Sequence, residues 1–169
     1  MQANLQELKE TYSRQTYSVF SINRQQKIAD SQVTFSLAHS VFIIPDFGAA
    51  EITIGGNEFV CEGTTVVHVP AGQTVTYRTL YGRSFDHVNI YYDGIQGDVT
   101  SPIFNAYAFD PQGFDRILDK VLDLEKLNTT PSLDNRVAQI VNGTELIKSM
   151  FLLTNSQKDQ ESMAEARTY

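Results

Sequence analysis

EITIGGNEFVCEGTTVVHVPAGQTVTY, residues 51–77, contains three runs of strand-forming residues punctuated by glycine turns. Ile52-Thr53-Ile54 alternates apolar and polar, the pattern of a half-buried strand. Gly55-Gly56 supplies the positive φ that a two-residue hairpin requires, and Glu58 to Cys61 returns as its partner. Glu62-Gly63 makes a second turn. Thr64 to Val69 is then β-branched except for His68, and Pro70-Ala71-Gly72 closes the set. Short strands at this spacing predict a closed or two-layer antiparallel β domain that the rest of the chain extends or packs upon.

The flanking sequence agrees. Residues 2–11 predict a short polar helix with Leu5 and Leu8 as anchors, and Tyr17 to Ile22 alternates as a strand. Arg24 to Asp30 is polar and expected as a loop. Val33 to Ile44 predicts one strand with Phe35, Leu37, His39, Val41 and Ile43 on one face, broken by Pro45-Asp46-Phe47-Gly48. Phe85 to Tyr92 is a further strand, and residues 93–102 end the β region. The period then changes to that of helices. Asp110-Pro111 is an expected helix start, with Phe114, Ile117, Leu118, Val121, Leu122 and Leu124 on one stripe. Pro131 breaks this helix and Ser132 caps the next. There Leu133, Val137, Ile140, Thr144, Ile147 and Phe151 are spaced 4, 3, 4, 3, 4, the seam of a coiled coil, interrupted by Gly143. The seam either joins two subunits or packs on its own sheet. Strands followed by helices make this an α+β chain.

With 169 residues the chain forms one domain whose core needs no staples. Its one cysteine, Cys61, excludes an internal disulfide and a C-x-x-C metal site, and is expected as a small buried apolar residue. The opening MQANLQELKE lacks the apolar core of a signal peptide, and no run has the length of a membrane span, so a cytoplasmic location is expected. The net charge of -7 opposes phosphate binding by this chain itself, because that affinity comes from basic surface.

Gly48, the hairpin Glu51 to Phe59, the segment Gly63 to Tyr77 with Pro70-Ala71-Gly72, and the helix pair Asp110 to Leu153 together resemble the N-terminal effector-binding domain of AraC-family transcription regulators. That resemblance implies a cupin-like, jelly-roll type antiparallel β-barrel followed by an antiparallel pair of helices. It divides the chain into an N-terminal arm (1–16) that folds over a bound effector, a barrel (17–102), a dimerising helix pair (110–154), and a linker (155–169). Glu165 to Tyr169 resembles the start of the family's helix-turn-helix domain, so DNA would be contacted only by a further domain. Metal-binding cupins carry H-x-H, a glutamate four residues on and a later histidine. Laying Gly48 and Pro70-Ala71-Gly72 on that frame puts Phe35, Leu37, Val41 and Val75 at the ligand positions, although Gly63 stands one residue too far from Pro70. None of these side chains coordinates a divalent ion, so the resemblance implies no metal and no cofactor.

The expected effector pocket is Phe35, Leu37, His39, Val41, Val75 and Tyr77, and the expected dimer seam is Leu133, Val137, Ile140, Thr144, Ile147 and Phe151. His39, His68 and His87 lack the spacing of a three-histidine metal site. The sequence has no G-x-S-x-G elbow, no activated cysteine and no helix after Gly55-Gly56 to make a phosphate cradle. Asp119, Asp123 and Glu125 sit on a solvated helix face. The expectation is therefore a non-enzymatic sensor and homodimerisation module for a small molecule. A metal-dependent cupin enzyme and a stand-alone binding barrel are the competing readings.

Overall fold

A β-strand turns alternate side chains to opposite faces, so a sheet buried on both sides must be apolar, or internally bonded, at every position. The computed structural model describes residues 5–14, 17–94 and 105–168, with the side chains of 6–12, 17–94 and 105–151. Its elements in chain order are α1 (Leu5–Arg14), β1 (Tyr17–Lys27), β2 (Gln32–Ser36), β3 (Ser40–Phe47), β4 (Ala50–Ile54), β5 (Asn57–Cys61), β6 (Val66–Val69), β7 (Thr74–Thr79), β8 (Phe85–Gly94), β9 (Tyr107–Phe109), α2 (Phe114–Lys126) and α3 (Leu133–Thr168). Every strand pairing is antiparallel. One sheet has the order β1-β8-β3-β6-β9 and the other β2-β7-β4-β5. This is an α+β architecture of two antiparallel sheets with helices.

The sheets enclose one core, which includes Val41, Ile43, Ile52, Cys61, Val67, Val75, Tyr77 and Phe85. The outer face of the five-stranded sheet carries a second. There Ile22, Phe42, Ile44, Val88, Ile90 and Tyr92 meet Leu8 and Tyr12 of α1, Ile117 and Val121 of α2, and Ile147 and Phe151 of α3. The expected hairpin forms at Gly55-Gly56, both with positive φ, joining β4 to β5. The next turn instead carries the chain across to the other sheet, where β6 pairs with β3 and β9.

Several boundaries differ from those read in the sequence. The stretch expected as a loop from Arg24 continues β1 to Lys27, paired with β8 throughout; its inward residues are polar because the barrel wall there is polar. Val33 to Ile44 is two strands in different sheets, so the alternation that put His39 on the face of Phe35 and Val41 is broken at residues 37–39. Helix α2 starts at Phe114, behind Gly113 with φ 68°, and not at Asp110. The Asp110 carboxylate instead accepts the Thr64 and Thr65 hydroxyls at 3.1 and 2.7 Å. Ser132 does cap α3, its Oγ accepting the Asn135 N–H at 3.0 Å. α3 runs on as helix to Thr168 through the segment expected as a linker. Residues 1–4, 15–16, 95–104 and 169 lie outside the described residues, with the expectations that fell on them.

β1 is an edge strand, whose free backbone groups need partners. The helices supply them: the Ile22 carbonyl accepts Asn128 Nδ2 at 2.7 Å and Gln139 Nε2 at 3.4 Å, and the Val19 N–H donates to Thr144 Oγ1 at 3.2 Å. Gly143 sets the depth of this contact, because a Cβ there would stand 3.0 Å from Ile22 Cδ1 and 3.2 Å from Val19 Cγ1. At the β3–β4 corner Gly48 has φ 77°, and a Cβ would collide with the Ser84 carbonyl oxygen. Urea unfolding of Gly143→Leu is expected to show a loss of about 1–3 kcal/mol from overpacking. Gly48→Ala should lose at least ~2 kcal/mol, because the collision is with backbone. A wild-type midpoint for both variants would contradict this account.

Candidate functional site

Cross-strand partners share a face, so the register of β1 and β8 determines what the barrel interior holds. Ser21, Asn23, Gln25 and Lys27 stand opposite Tyr91, Asn89, His87 and Phe85. One flank of the interior is thus a polar wall, while β3, β4, β6 and β7 present Val41, Ile43, Ile52, Ile54, Val67, Val69 and Val75. The polar wall faces β2 across Lys27, whose ammonium lies 5.1 Å from the centre of the Phe35 ring and 4.5 Å from that of Tyr77.

The hydrogen-bond directions on this wall follow from which atoms carry protons. Asn89 Nδ2 donates to the Tyr91 hydroxyl at 3.0 Å, so Asn89 Oδ1 accepts His87 Nδ1–H at 2.7 Å. His87 Nε2 is then unprotonated and accepts Lys27 Nζ–H at 3.1 Å. Lys27 donates a second proton to Gln25 Oε1 at 3.0 Å, and Gln25 Nε2 donates to Tyr91 at 2.8 Å. Tyr91 accepts two bonds from the wall, which leaves its own O–H proton uncommitted there, and the third Lys27 N–H is likewise unassigned. Gln25 thus joins the Lys27 ammonium and the Tyr91 hydroxyl in one network on this wall.

Lys27 is 6% exposed, and among the described residues no carboxylate forms an ion pair with it. Burial without a counter-ion lowers its pKa to about 8. Burial, reinforced by the Lys27 charge, likewise lowers that of His87 to about 3. Cation–π contact with the two rings offsets part of the desolvation, at about 0.5–2 kcal/mol each.

Of the pocket residues expected from sequence, Val41, Val75 and Tyr77 are buried in the barrel core, and Leu37 is half-buried against it. Phe35 sits at the open flank, 44% exposed, with its ring edge-on to Tyr77. His39 is a correction. It lies outside the barrel, stacked on Phe20 at 4.2 Å with Nδ1 2.7 Å from Asp93 Oδ1. Lys27, Gln25, His87, Asn89 and Tyr91, which form the polar wall, are not among the residues expected from sequence. The available signal was the N-x-Q-x-K alternation of Asn23, Gln25 and Lys27, which has the period of a strand although its inward residues are polar.

The three histidines occupy three separate environments. His68 faces the helices, its Nε2 2.6 Å from the Tyr92 hydroxyl, while His87 faces the barrel. Among the described residues no three His, Cys, Asp or Glu side chains gather where a metal could bind. Cys61 is fully buried, which pushes its thiol pKa up.

The six-residue seam on α3 is divided. Ile147 and Phe151 are buried in the protein's own core, Thr144 holds β1, and Ile140 is half-buried. Leu133 and Val137 are exposed, joined on that side by Val141. A groove of about 300 Å³ lies between α2 and α3, with Leu124 and Leu146 lining it beside Lys120, Asp123 and Glu145.

No family model and no curated protein matches the sequence. Solved structures are similar in fold. ToxT from Vibrio cholerae with a bound unsaturated fatty acid aligns with TM-score 0.50 and 10% identity, over 85% of this chain and 57% of that one. ToxT bound to (E)-4-(8-methylnaphthalen-1-yl)but-3-enoic acid aligns with TM-score 0.51 and 9% identity, over 81% and 58%. The Cnp3 cupin domain of Schizosaccharomyces pombe aligns with TM-score 0.40 and 14% identity, over 46% and 62%. The chain spans less than two thirds of either ToxT structure. No helix of the described residues is long and apolar enough to cross a membrane.

The buried amine makes stability depend on pH with a definite sign. With a folded pKa of about 8 against an ordinary 10.5, the folded state binds fewer protons between those values, so stability rises with pH across that window. The cost of burying the charge is fully present below it. Lys27→Met is expected to be more stable than wild type at pH 7 and to lack the alkaline rise. On the acid side, folded pKa values of about 3 for His68 and His87 make stability fall as pH drops from 6.5 towards 3. Urea midpoints measured from pH 3 to 10.5 check both limbs; an alkaline rise that survives in Lys27→Met would remove Lys27 as its source.

Proposed function

We propose that this chain is the effector-sensing and dimerisation module of an AraC-type transcription regulator, and that its effector is a small amphipathic carboxylate held in the barrel. The observation that carries this reading is Lys27. It is a buried cation with which no carboxylate among the described residues forms an ion pair, linked through Gln25 to the Tyr91 hydroxyl on the polar half of an otherwise apolar interior. A carboxylate supplies the missing charge and accepts the two unassigned donors. Phe35, Leu37 and Tyr77 line the side where an apolar body would lie. The acids bound to ToxT, a protein of similar fold, are consistent with that chemistry.

The site acts by binding and not by catalysis on this reading. Its polar groups hold one another in a chain of donors and acceptors, and the imidazole next to the amine is committed on both nitrogens. DNA would be contacted by a helix-turn-helix domain outside this acidic chain, in the cytoplasm. The dimer forms through the first half of the α3 seam, where Leu133, Val137 and Val141 recur at i, i+4 and i+8 and stay exposed. Arg136 lies over the exposed ring of Phe20 beside this stripe, which extends it onto β1.

Calorimetry with decanoate, oleate and decanol tests the effector class. Decanoate is expected to bind at least ~10-fold more tightly than decanol, since a hydrogen bond to a charged group contributes about 1.5–3 kcal/mol. Lys27→Gln should abolish that difference. Equal affinity for acid and alcohol, or no binding of any of the three, would sink the carboxylate reading. Sedimentation of Leu133→Asp/Val137→Asp tests the dimer: wild type should be a dimer and the variant a monomer, and a monomeric wild type refutes the interface.

A further inference from the structure

We propose that Lys27 is a covalent capture site for aldehydes, its side-chain nitrogen forming a reversible imine with an apolar aldehyde admitted at the flank where Phe35 meets solvent. The capture does not rest on the carboxylate reading above. An acid pairs with the protonated side chain, whereas an aldehyde reacts with the neutral one.

The geometry begins with the directions around one nitrogen. An aliphatic amine nitrogen is tetrahedral, and its own carbon takes one direction. His87 Nε2 at 3.1 Å and Gln25 Oε1 at 3.0 Å take two more, both as acceptors. Each acceptor is itself held in place. His87 donates through Nδ1 to Asn89 Oδ1 at 2.7 Å, and Gln25 donates through Nε2 to the Tyr91 hydroxyl at 2.8 Å. The two protons of the neutral amine therefore satisfy both acceptors, and the lone pair is left with the remaining direction. The Phe35 and Tyr77 rings stand against the same nitrogen, with centres at 5.1 and 4.5 Å. Ring faces donate no hydrogen bond, so they do not tie up the lone pair. The polar wall is as well satisfied by the nucleophilic form as by the ammonium.

Burial populates that form. With a pKa of about 8, roughly a tenth of the Lys27 side chains are neutral at pH 7, roughly 300-fold more than at the ordinary 10.5. A desolvated lysine in an apolar setting is the usual way of making this side chain a nucleophile. A less basic amine is also a weaker nucleophile, so only part of the gain in population reaches the rate. The site is close to solvent without being open to it. Lys27 is 6% exposed, and the Phe35 ring against it is 44% exposed. Lys120, Lys126 and Lys148 are exposed on the helices and serve as internal controls.

The reaction balances with the amine and the aldehyde alone. The lone pair attacks the carbonyl carbon as the C=O π pair moves onto oxygen, and one nitrogen proton passes to that oxygen, giving a carbinolamine. The C–O bond then breaks, and the hydroxyl leaves as water with the second nitrogen proton while the nitrogen pair closes the C=N bond. One water is released, nothing is oxidised or reduced, and hydrolysis reverses the sequence. Burial of the nitrogen limits that hydrolysis, because water reaches the product poorly. The apolar side chains of the interior, Val41, Val75 and Tyr77 among them, suit an aldehyde with an apolar body and no charge.

Decanal with cyanoborohydride tests this, since the reductant fixes an imine as a secondary amine that peptide mass mapping locates. In the folded chain near pH 7, Lys27 is expected to be labelled at least ~10-fold faster than Lys120, Lys126 or Lys148. The preference should vanish in concentrated urea, where Lys27 has neither its burial nor its two acceptors. Lys27→Arg should lose the fast labelling and keep the slow; should it not fold, the wild-type map decides alone. Labelling of Lys27 no faster than of the exposed lysines, or a preference that survives in urea, overturns the proposal. Excess decanoate separates the two ligand classes. Slower labelling of Lys27 supports one amine serving both, and fast labelling that decanoate leaves unchanged keeps the capture and counts against the carboxylate reading. Slow labelling of Lys27 in a protein that binds decanoate refutes the capture alone.

Discussion

Strand β8 is the constraint that the other parts of the molecule answer to. It lies between β1 and β3 in the larger sheet and most of its side chains are buried, so these have to find partners without water. Alternation sorts them. Val88, Ile90 and Tyr92 go to the helices, and Phe85, His87, Asn89 and Tyr91 to the barrel. The polar residues of that second set are not a fault in the core, because each is bonded to the next and to β1. Gln25 and Lys27 belong to a strand and not to a loop because their side chains bond to Tyr91 and His87 across the sheet.

The helices serve the edge of the same sheet. β1 would be an exposed template for pairing with another chain, and Asn128, Gln139 and Thr144 occupy its free backbone groups. Gly143 brings α3 close enough for this. The same close approach uses up the second half of the α3 seam internally, and leaves the first half, ahead of the glycine, facing outward. One residue without a side chain thus decides which part of an apolar stripe is core and which part is surface.

Much of the architecture was legible in the chain. The Gly55-Gly56 hairpin, the strand periods and the two apolar helix stripes gave an α+β fold with strands first, and the observed order agrees. Of the residues expected to line a pocket, Val41, Val75 and Tyr77 do face the interior, because their alternation is continuous with their strands. His39 was misplaced because the chain changes sheets at residues 37–39, and a change of sheet resets parity without any mark in composition. Lys27 and its neighbours are not legible because a polar residue bonded inside a sheet has the same composition as a solvated one, and Tyr12 because leucine spacing alone does not show which aromatic of the arm is buried.

What the sequence determined by itself is what local physics dictates: period two or period 3.6, positive φ at paired glycines, a serine cap before α3. These need no knowledge of distant residues. The tertiary structure alone decided which polar residues meet, since Lys27 and His87 lie 60 residues apart, as Tyr12 and Tyr92 lie 80 apart. A side chain's environment is set only when folding removes its water and brings its partners to it. That is a property of what surrounds the side chain, and the order of residues along the chain does not contain it.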